Sequence, residues 1–185
     1  GVSDLDVRAV AAGGAHSVFL VAGGHVFTCG LNADGQLGHS AGLPFSPEPM
    51  LVRLDVEVVS VAAGNGHTLC VDVDGCVWAF GKNTAGQLGT GNVDGTIPRK
   101  IGALAKEARV AQVACGAEHS LAVADDGRVY SWGSSTDGVL GHGSETWNDG
   151  WFYRTARAEL APRLVRSLED KKVVAVAAGH MHSAC

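Results

Sequence analysis

Four histidines recur in the sequence, each three residues after a glycine and each followed by a hydroxyl residue. The histidines are His16, His67, His119 and His182; the glycines are Gly13, Gly64, Gly116 and Gly179; the hydroxyl residues are Ser17, Thr68, Ser120 and Ser183. Histidines can bind a metal ion, and a serine beside a histidine can act as a nucleophile. Either chemistry requires a fold that brings these side chains together.

The spacing of the histidines indicates a repeat, which controls where they lie. His67 and His119 follow the preceding histidine by 51 and 52 residues, and His182 follows by 63. After each of the first three histidines, glycines recur at the same intervals: Gly24, Gly75 and Gly127; Gly30, Gly81 and Gly133; Gly38, Gly89 and Gly141. The sequence therefore predicts repeats at about 5–48, 49–97, 98–161 and 162–185, the last one truncated.

The pattern within each repeat is that of β-strands. Short runs rich in branched residues flank the dipeptides Gly23-Gly24, Asp74-Gly75 and Asp126-Gly127, which are typical of tight hairpins. A further strand is expected after each proline-led segment, at Pro49, Pro98 and Pro162. Four strands in about fifty residues match one propeller blade, and the best helical candidate, 103–108, is very short. We expect an all-β propeller fragment of about three and a half blades.

A glycine-rich phrase, NADGQLG at 32–38, returns as NTAGQLG at 83–89. A phosphate-binding loop is one interpretation, but no Gly-Lys-Ser/Thr follows and no helix is expected there. The alternative is a structural loop in which Leu37 and Leu88 anchor the core, while Gln36 and Gln87 satisfy backbone groups. This structural interpretation is favoured.

The compound motif V-A-x-G-x-x-H-[ST], D-G-x-V-[YW]-x-[WF]-G, N-x-x-G-Q-L-G, which runs from Val61 to Gly89, resembles the repeat of the regulator-of-chromosome-condensation family. The resemblance covers nearly the whole chain and implies a propeller whose usual form has seven blades. The third copy departs from the motif, since its loop reads STDGVLG at 135–141, and we expect this loop to be held less tightly.

An insertion of about eleven residues lies within 142–161 of the third repeat. It concentrates aromatic and arginine side chains, the types enriched at binding hot spots. These candidate partner-binding residues are Trp147, Trp151, Phe152, Tyr153, Arg154 and Arg157. The alternative is a loop that folds its aromatics back over the blade; Trp78 and Trp132 are expected in the core.

No metal, cofactor or catalytic group is expected. One histidine per blade would keep the four well apart, so a neutral histidine hydrogen-bonded to backbone is the favoured interpretation. The calcium-like fragments DVDG at 72–75 and NADG at 32–35 lack the required glutamate and fall at predicted turns. The hydroxyl residues beside the histidines repeat at strand starts and are expected to be scaffold.

Composition narrows the class of protein. The net charge of -5 disfavours, without excluding, a chromatin-binding surface. The five cysteines form no CxxC pair, no apolar run approaches the length that spans a membrane, and residues 1–4 do not resemble the start of a signal peptide. A cytoplasmic or nuclear location with reduced, mostly buried thiols is therefore expected. The first residue, Gly1, suggests a processed or cut chain.

The expected function is a non-catalytic scaffold that binds a protein partner through a propeller face or the inserted loop. The resemblance also implies two alternatives: guanine-nucleotide exchange on a small GTPase of the Ran type, and a substrate-recognition or regulatory module of a ubiquitin ligase. Open blade edges make self-association a further expectation, with two copies completing one ring as an alternative to a fragment of a longer propeller.

Overall fold

The computed structural model describes residues 6–39, 42–93, 95, 97–143 and 158–185. Nearly all of the regular structure in these ranges is β. The strands are β1 (Val7–Ala12), β2 (His16–Val21), β3 (His25–Leu31), β4 (Phe45–Leu51), β5 (Val58–Ala63), β6 (His67–Asp72), β7 (Val77–Gly81), β8 (Arg99–Lys100), β9 (Val110–Cys115), β10 (His119–Ala124), β11 (Val129–Gly133), β12 (Glu159–Leu164), β13 (Ala177–Ala178) and β14 (Ser183–Ala184).

The strands form four antiparallel sheets in which neighbours in the chain are neighbours in the sheet. The first sheet is β1–β4, the second β5–β8, the third β9–β12 and the fourth β13–β14. The all-β prediction is confirmed: the described helical structure is α1 (Gly102–Glu107), near the predicted 103–108, and two single-turn 3-10 segments, Thr136–Gly138 and Arg166–Leu168.

The proline-led strands close a sheet instead of opening one. β4 carries Pro47 and Pro49, and it pairs with β3 on the outer edge of the first sheet. An edge strand is where a residue without a backbone N–H is tolerated. The sheets therefore span 7–51, 58–100, 110–164 and 177–184, whereas the bounds predicted from the motif place each proline-led strand at the start of the next unit.

The hairpin glycines connect each sheet to the next one. Gly24, Gly75 and Gly127 all have positive φ, the region that favours glycine. Their carbonyls accept hydrogen bonds from the N–H groups of Val58 (3.0 Å), Val110 (2.9 Å) and Val173 (3.3 Å), at or near the start of the next sheet's first strand. The same turn that reverses the chain thus fixes the distance to the following sheet.

The core lies between the sheets. Val18, Leu20 and Val26 of the first sheet pack against Cys70 and Phe80 of the second. A larger cluster joins the second and third sheets and includes Leu69, Leu88, Tyr130 and Trp132, and a smaller one centred on Leu121 and Val176 joins the third and fourth. The sheets pack in sequence order, as blades of a propeller do.

Two expectations about buried side chains are met only in part. Trp132 is fully buried, but Trp78 is half-buried and donates its Nε1–H to Asp72 Oδ2 at 2.9 Å. All five cysteines are free, yet only Cys70 is fully buried, and burial raises the pKa of its thiol to about 12. Such a thiol stays protonated and packs as a small apolar group.

Candidate functional site: the histidine junctions and the loop face

Each repeated histidine packs its ring against the glycine three residues before it. A Cβ added to Gly13, Gly64, Gly116 or Gly179 would overlap the ring of the histidine in the same turn. At Gly64 the added atom would also lie 2.6 Å from the carbonyl oxygen of Gly116 in the next sheet. At each position the glycine leaves room for the ring, and at Gly13 and Gly64 the neighbouring backbone also occupies the space of a side chain.

The histidines join neighbouring sheets through a hydroxyl group. His16 Nε2 lies 2.9 Å from Thr68 Oγ1, and Thr68 Oγ1 donates to the carbonyl of Gln36 at 2.8 Å. In the second junction His67 Nε2 lies 3.0 Å from Ser120 Oγ, which donates to the Gln87 carbonyl at 2.7 Å. In the third junction His119 Nε2 lies 3.1 Å from Ser183 Oγ, which donates to the Val139 carbonyl at 2.7 Å. We refer to each histidine–hydroxyl–carbonyl set as a junction link.

The geometry of the link assigns the protons. A hydroxyl has one proton, and Ser120 gives it to the Gln87 carbonyl, so it must accept a proton from His67 Nε2. Nε2 of His67 therefore carries a proton. Its Nδ1 is buried and, like that of His16, has no hydrogen-bond partner in the described part of the chain.

The surroundings keep these imidazoles neutral. Burial lowers the pKa of His67 to about 3, with smaller contributions from His16, His119 and Lys82. Burial also lowers the pKa of His16 to about 4, and it lowers that of His119. A second proton would place a charge in a dry junction where Nδ1 has no acceptor, which explains the direction.

The histidine interpretation from the sequence thus needs correction. Burial favours the neutral form of His16, His67 and His119, but each of the three bonds to the hydroxyl residue of the next repeat, and that hydroxyl in turn donates to a backbone carbonyl. The recurring Ser or Thr after each histidine was the signal that could have identified this role. Among the described residues, no three His, Cys, Asp or Glu side chains lie close enough together to hold a metal ion.

The glycine-rich loops supply the carbonyls of the first two links. Asn32 Oδ1 accepts from Leu37 N–H at 3.0 Å, and Gln36 Oε1 accepts from Asp34 N–H at 2.9 Å. Asn83 and Gln87 make the same two contacts in the second loop, at 3.0 and 2.9 Å, and Leu37 and Leu88 are buried. The structural interpretation of the phrase is confirmed by these contacts.

The third loop has a different backbone. Val139 stands where the other loops have glutamine and cannot accept a hydrogen bond through its side chain. The loop forms a 3-10 turn at Thr136–Gly138, and Asp137 has a φ of 55°, the only non-glycine residue with positive φ in the described ranges. The Val139 carbonyl nevertheless reaches Ser183, so the link survives the change of loop.

The calcium-like fragment at 72–75 is a turn. Asp72 Oδ1 accepts from the N–H groups of Asp74 at 3.0 Å and Cys76 at 2.8 Å, while Oδ2 accepts from Trp78. Both carboxylate oxygens are therefore engaged in holding the hairpin and the adjacent indole.

One end of the sheets, which we call the loop face, carries the Gly-x-x-His turns and the loops that connect the third and fourth strands. On it, Lys82 of the second sheet pairs with Glu118 of the third. The connection from β11 to β12, which contains most of the insertion within 142–161, starts from this face. Its candidates Trp147, Trp151, Phe152, Tyr153, Arg154 and Arg157 lie outside the described residues.

The strand at the C-terminal side of the insertion is anchored to the second sheet. Leu160 in β12 accepts a hydrogen bond from Gly91 N–H at 2.9 Å, which ties the third sheet to the loop region of the second. A Cβ on Gly86 would lie 2.7 Å from Leu160 Cδ2.

No helix in the described ranges is both long and apolar enough to cross a membrane.

The fold and its junctions define an all-β array of propeller blades joined by histidine links. The chain matches the family described as the regulator of chromosome condensation (RCC1) repeat over residues 23–71, 74–123 and 126–185, and a second description of the repeat matches 7–36, 58–87 and 110–139. The chain belongs to this RCC1 repeat family.

Relatives place the repeat in longer proteins. The chain is 38% identical to human E3 ubiquitin-protein ligase HERC2, over 98% of this chain and 4% of the ligase. It is 36% identical to human protein RCC2, over 92% of this chain and 33% of that protein. The crystal structure of Prp20p from Saccharomyces cerevisiae, described with its binding to Gsp1p and histones, superposes with a TM-score of 0.81 at 25% identity, over 96% of this chain and 42% of that one. The chain thus spans less than half of each of these proteins.

Proposed function

We propose that the chain is a non-catalytic protein-interaction unit whose partner binds the loop face. The observation that carries this proposal is topological: most of the insertion, which lies within 142–161, falls in the connection from β11 to β12, and this connection leaves from the end that carries the Gly-x-x-His turns. Long loops on a rigid scaffold are where binding residues concentrate. The insertion also holds the chain's densest group of aromatic and arginine residues.

The chemistry of the repeated polar residues supports a scaffold. The histidines and hydroxyl groups that could form a nucleophile and base are instead engaged in junction links, where the imidazole is held neutral. Such groups stabilise the blades and leave recognition to side chains on the loops.

The test is capture of partners by the purified chain, followed by titration of each purified partner. The double variant Trp151→Ala/Tyr153→Ala is expected to weaken binding at least about tenfold, as hot-spot truncations do. Glu118→Lys on the loop face should weaken it less, and Asp74→Lys, the matched control on the opposite hairpin end, should leave it unchanged. Unaltered binding by the double variant and by Glu118→Lys would contradict the assignment of the face.

Nucleotide exchange on a small GTPase is the second candidate, supported by the similarity to Prp20p, whose binding to Gsp1p is described. Exchange needs a wedge that distorts the nucleotide site and no acid–base residue. A nucleotide-release assay with a panel of small GTPases tests it. Faster release in the presence of the chain would favour an exchange factor, and no stimulation alongside a captured partner would favour the scaffold.

Partner recognition for a ubiquitin ligase is a third candidate, because the sequence is 38% identical to a segment of HERC2. The chain would then supply the recognition surface and another domain the transfer chemistry. Fusing the chain to an active ligase domain should direct ubiquitin to the captured partner, and the Trp151→Ala/Tyr153→Ala fusion should not.

A further inference from the structure

Asn65 and Gly66 form an Asn-Gly dipeptide inside the second Gly-x-x-His turn, on the loop face. The other three turns carry Gly-Ala, Ala-Glu and His-Met at the same two positions, and the sequence contains no second Asn-Gly dipeptide. The backbone nitrogen of a glycine has no Cβ beside it to shield it. The carboxamide carbon of Asn65 and the nitrogen of Gly66 can therefore react with each other and close a five-membered ring.

The carboxamide of Asn65 makes no hydrogen bond within the described residues, and Asn65 is exposed. Asn32 and Asn83 are different, because both are buried in their loops. Each of their Oδ1 atoms accepts from a backbone N–H at 3.0 Å, and each Nδ2 donates to a loop carbonyl at 2.8 Å. The structure thus holds these two carboxamides in place and leaves that of Asn65 without such a restraint.

The N–H of Gly66 also donates no hydrogen bond in the described part of the chain. An Asp-Gly dipeptide could close the same ring, but in the four that are fully described the glycine N–H is engaged in its turn. These N–H groups donate to carbonyls 2.9–3.3 Å away and belong to Gly35, Gly75, Gly127 and Gly138. All four have positive φ, whereas Gly66 does not. Both reacting groups are therefore unbonded at Asn65 and Gly66.

We propose that Asn65 is a site of spontaneous deamidation. The nitrogen of Gly66 attacks Asn65 Cγ, so that a bond from this nitrogen to Cγ forms and the bond from Cγ to Nδ2 breaks. Nδ2 leaves as ammonia and takes the proton of the Gly66 amide, and a succinimide ring remains. Water then opens the ring at either of its carbonyls, which yields aspartate or isoaspartate.

Either product changes the loop face. Both add a negative charge beside Asp34 and Lys82, whose side chains border Gly66. In isoaspartate the main chain runs through Cγ, so the turn between Gly64 and His67 becomes longer by one carbon atom. The modification does not depend on the proposed function, since it is detected in the chain itself without a partner.

Peptide mass spectrometry follows the reaction at a single position. Cleavage after Arg53 and Lys82 releases the peptide 54–82, in which Asn65 carries the only side-chain amide. The folded chain is incubated at mildly alkaline pH in water enriched in heavy oxygen, so that product formed before digestion carries the label. We expect labelled aspartyl and isoaspartyl forms of this peptide to accumulate, while Asn32 and Asn83 remain amides.

Gly66→Ala is the matched control. Its new Cβ would lie 3.3 Å from the side chains of Asp34 and Lys82, which can move aside, so folding should be retained. The Cβ shields the attacking nitrogen, and labelled product should form at least about tenfold more slowly. Asn65→Gln, which would have to close a six-membered ring, should form less still. Equal rates for Gly66→Ala and the unmodified chain would overturn the inference.

The chain unfolded in guanidinium chloride provides the second comparison, which holds even if Gly66→Ala does not fold. A turn whose reacting groups are unbonded needs no unfolding to react, so the folded chain should convert Asn65 within about tenfold of the unfolded rate. If the unfolded chain is converted while the folded chain forms no labelled product at Asn65, the fold protects the dipeptide and the inference is wrong.

Discussion

The second and third junctions contain the same junction link in different surroundings. His67 and Ser120 lie fully buried between the second and third sheets, where the Gln87 carbonyl also accepts the indole N–H of Trp132 at 2.8 Å. Between the third and fourth sheets, His119 bonds to Ser183, which is exposed. The distances are nearly equal, so the repeat determines the geometry of the link, and the surrounding side chains determine how much it stabilises the fold.

The largest predicted effect is at the indole of the second junction. Trp132→Ala removes a fully buried ring and one hydrogen bond to the carbonyl that Ser120 also uses, so the free energy of unfolding should fall by about 3–5 kcal/mol. Trp78→Ala, at a half-buried indole, is the control and should cost clearly less. Urea unfolding followed by circular dichroism measures both; equal losses would contradict the difference in burial.

Alanine in place of the glycine beside a buried or an exposed histidine ring should destabilise the fold to different extents. Gly64→Ala should cost about 2–4 kcal/mol, because the new Cβ meets the buried His67 ring and the Gly116 backbone, neither of which can move easily. Gly179→Ala meets only the ring of the exposed His182, which can rotate away, and should cost under about 1 kcal/mol. Similar losses in the two variants would show that burial of the ring is not the cause.

Acid should weaken the second junction through His67. Its folded-state pKa, about 3, lies below the ordinary value of 6.5, so the unfolded chain binds the proton more readily. The contribution of His67 to the free energy of unfolding is complete above pH 6.5 and is lost as the pH falls toward 3. By pH 4.5 this loss amounts to about 2–3 kcal/mol. His67→Gln should therefore lose less stability between pH 7 and pH 4.5 than the unmodified chain. His25→Gln, at an exposed histidine, is the control. If the pH dependence of His67→Gln equals that of the unmodified chain, the prediction is contradicted.

Much of the fold could be predicted because glycine spacing and hairpin dipeptides act locally. Gly24 and Gly75 mark turns by their own backbone preference, and the strands beside them follow. The placement of Pro49 in a closing strand could not be derived locally, since it depends on which neighbour β4 pairs with. The same limit hid the link between His67 and Ser120, which are 53 residues apart in sequence.

The site was predictable to a smaller extent. The roles of Gln87 and Leu88 followed from the type of loop, whereas the hydroxyl partner of each histidine belongs to another blade. The positive φ of Asp137 was likewise not predicted; it occurs in the loop that has Val139 in place of glutamine. The six residues of the insertion remain a prediction from composition.

A double-mutant cycle on His67 and Ser120 tests the junction link most directly. His67→Phe, Ser120→Ala and the double variant are compared by urea unfolding, with His119 and Ser183 as the matched cycle in the junction whose serine is exposed. We predict a coupling energy of about 1–2 kcal/mol for His67 and Ser120, and a smaller one for His119 and the exposed Ser183. Coupling near zero for His67 and Ser120 would contradict the claim that these side chains join the blades.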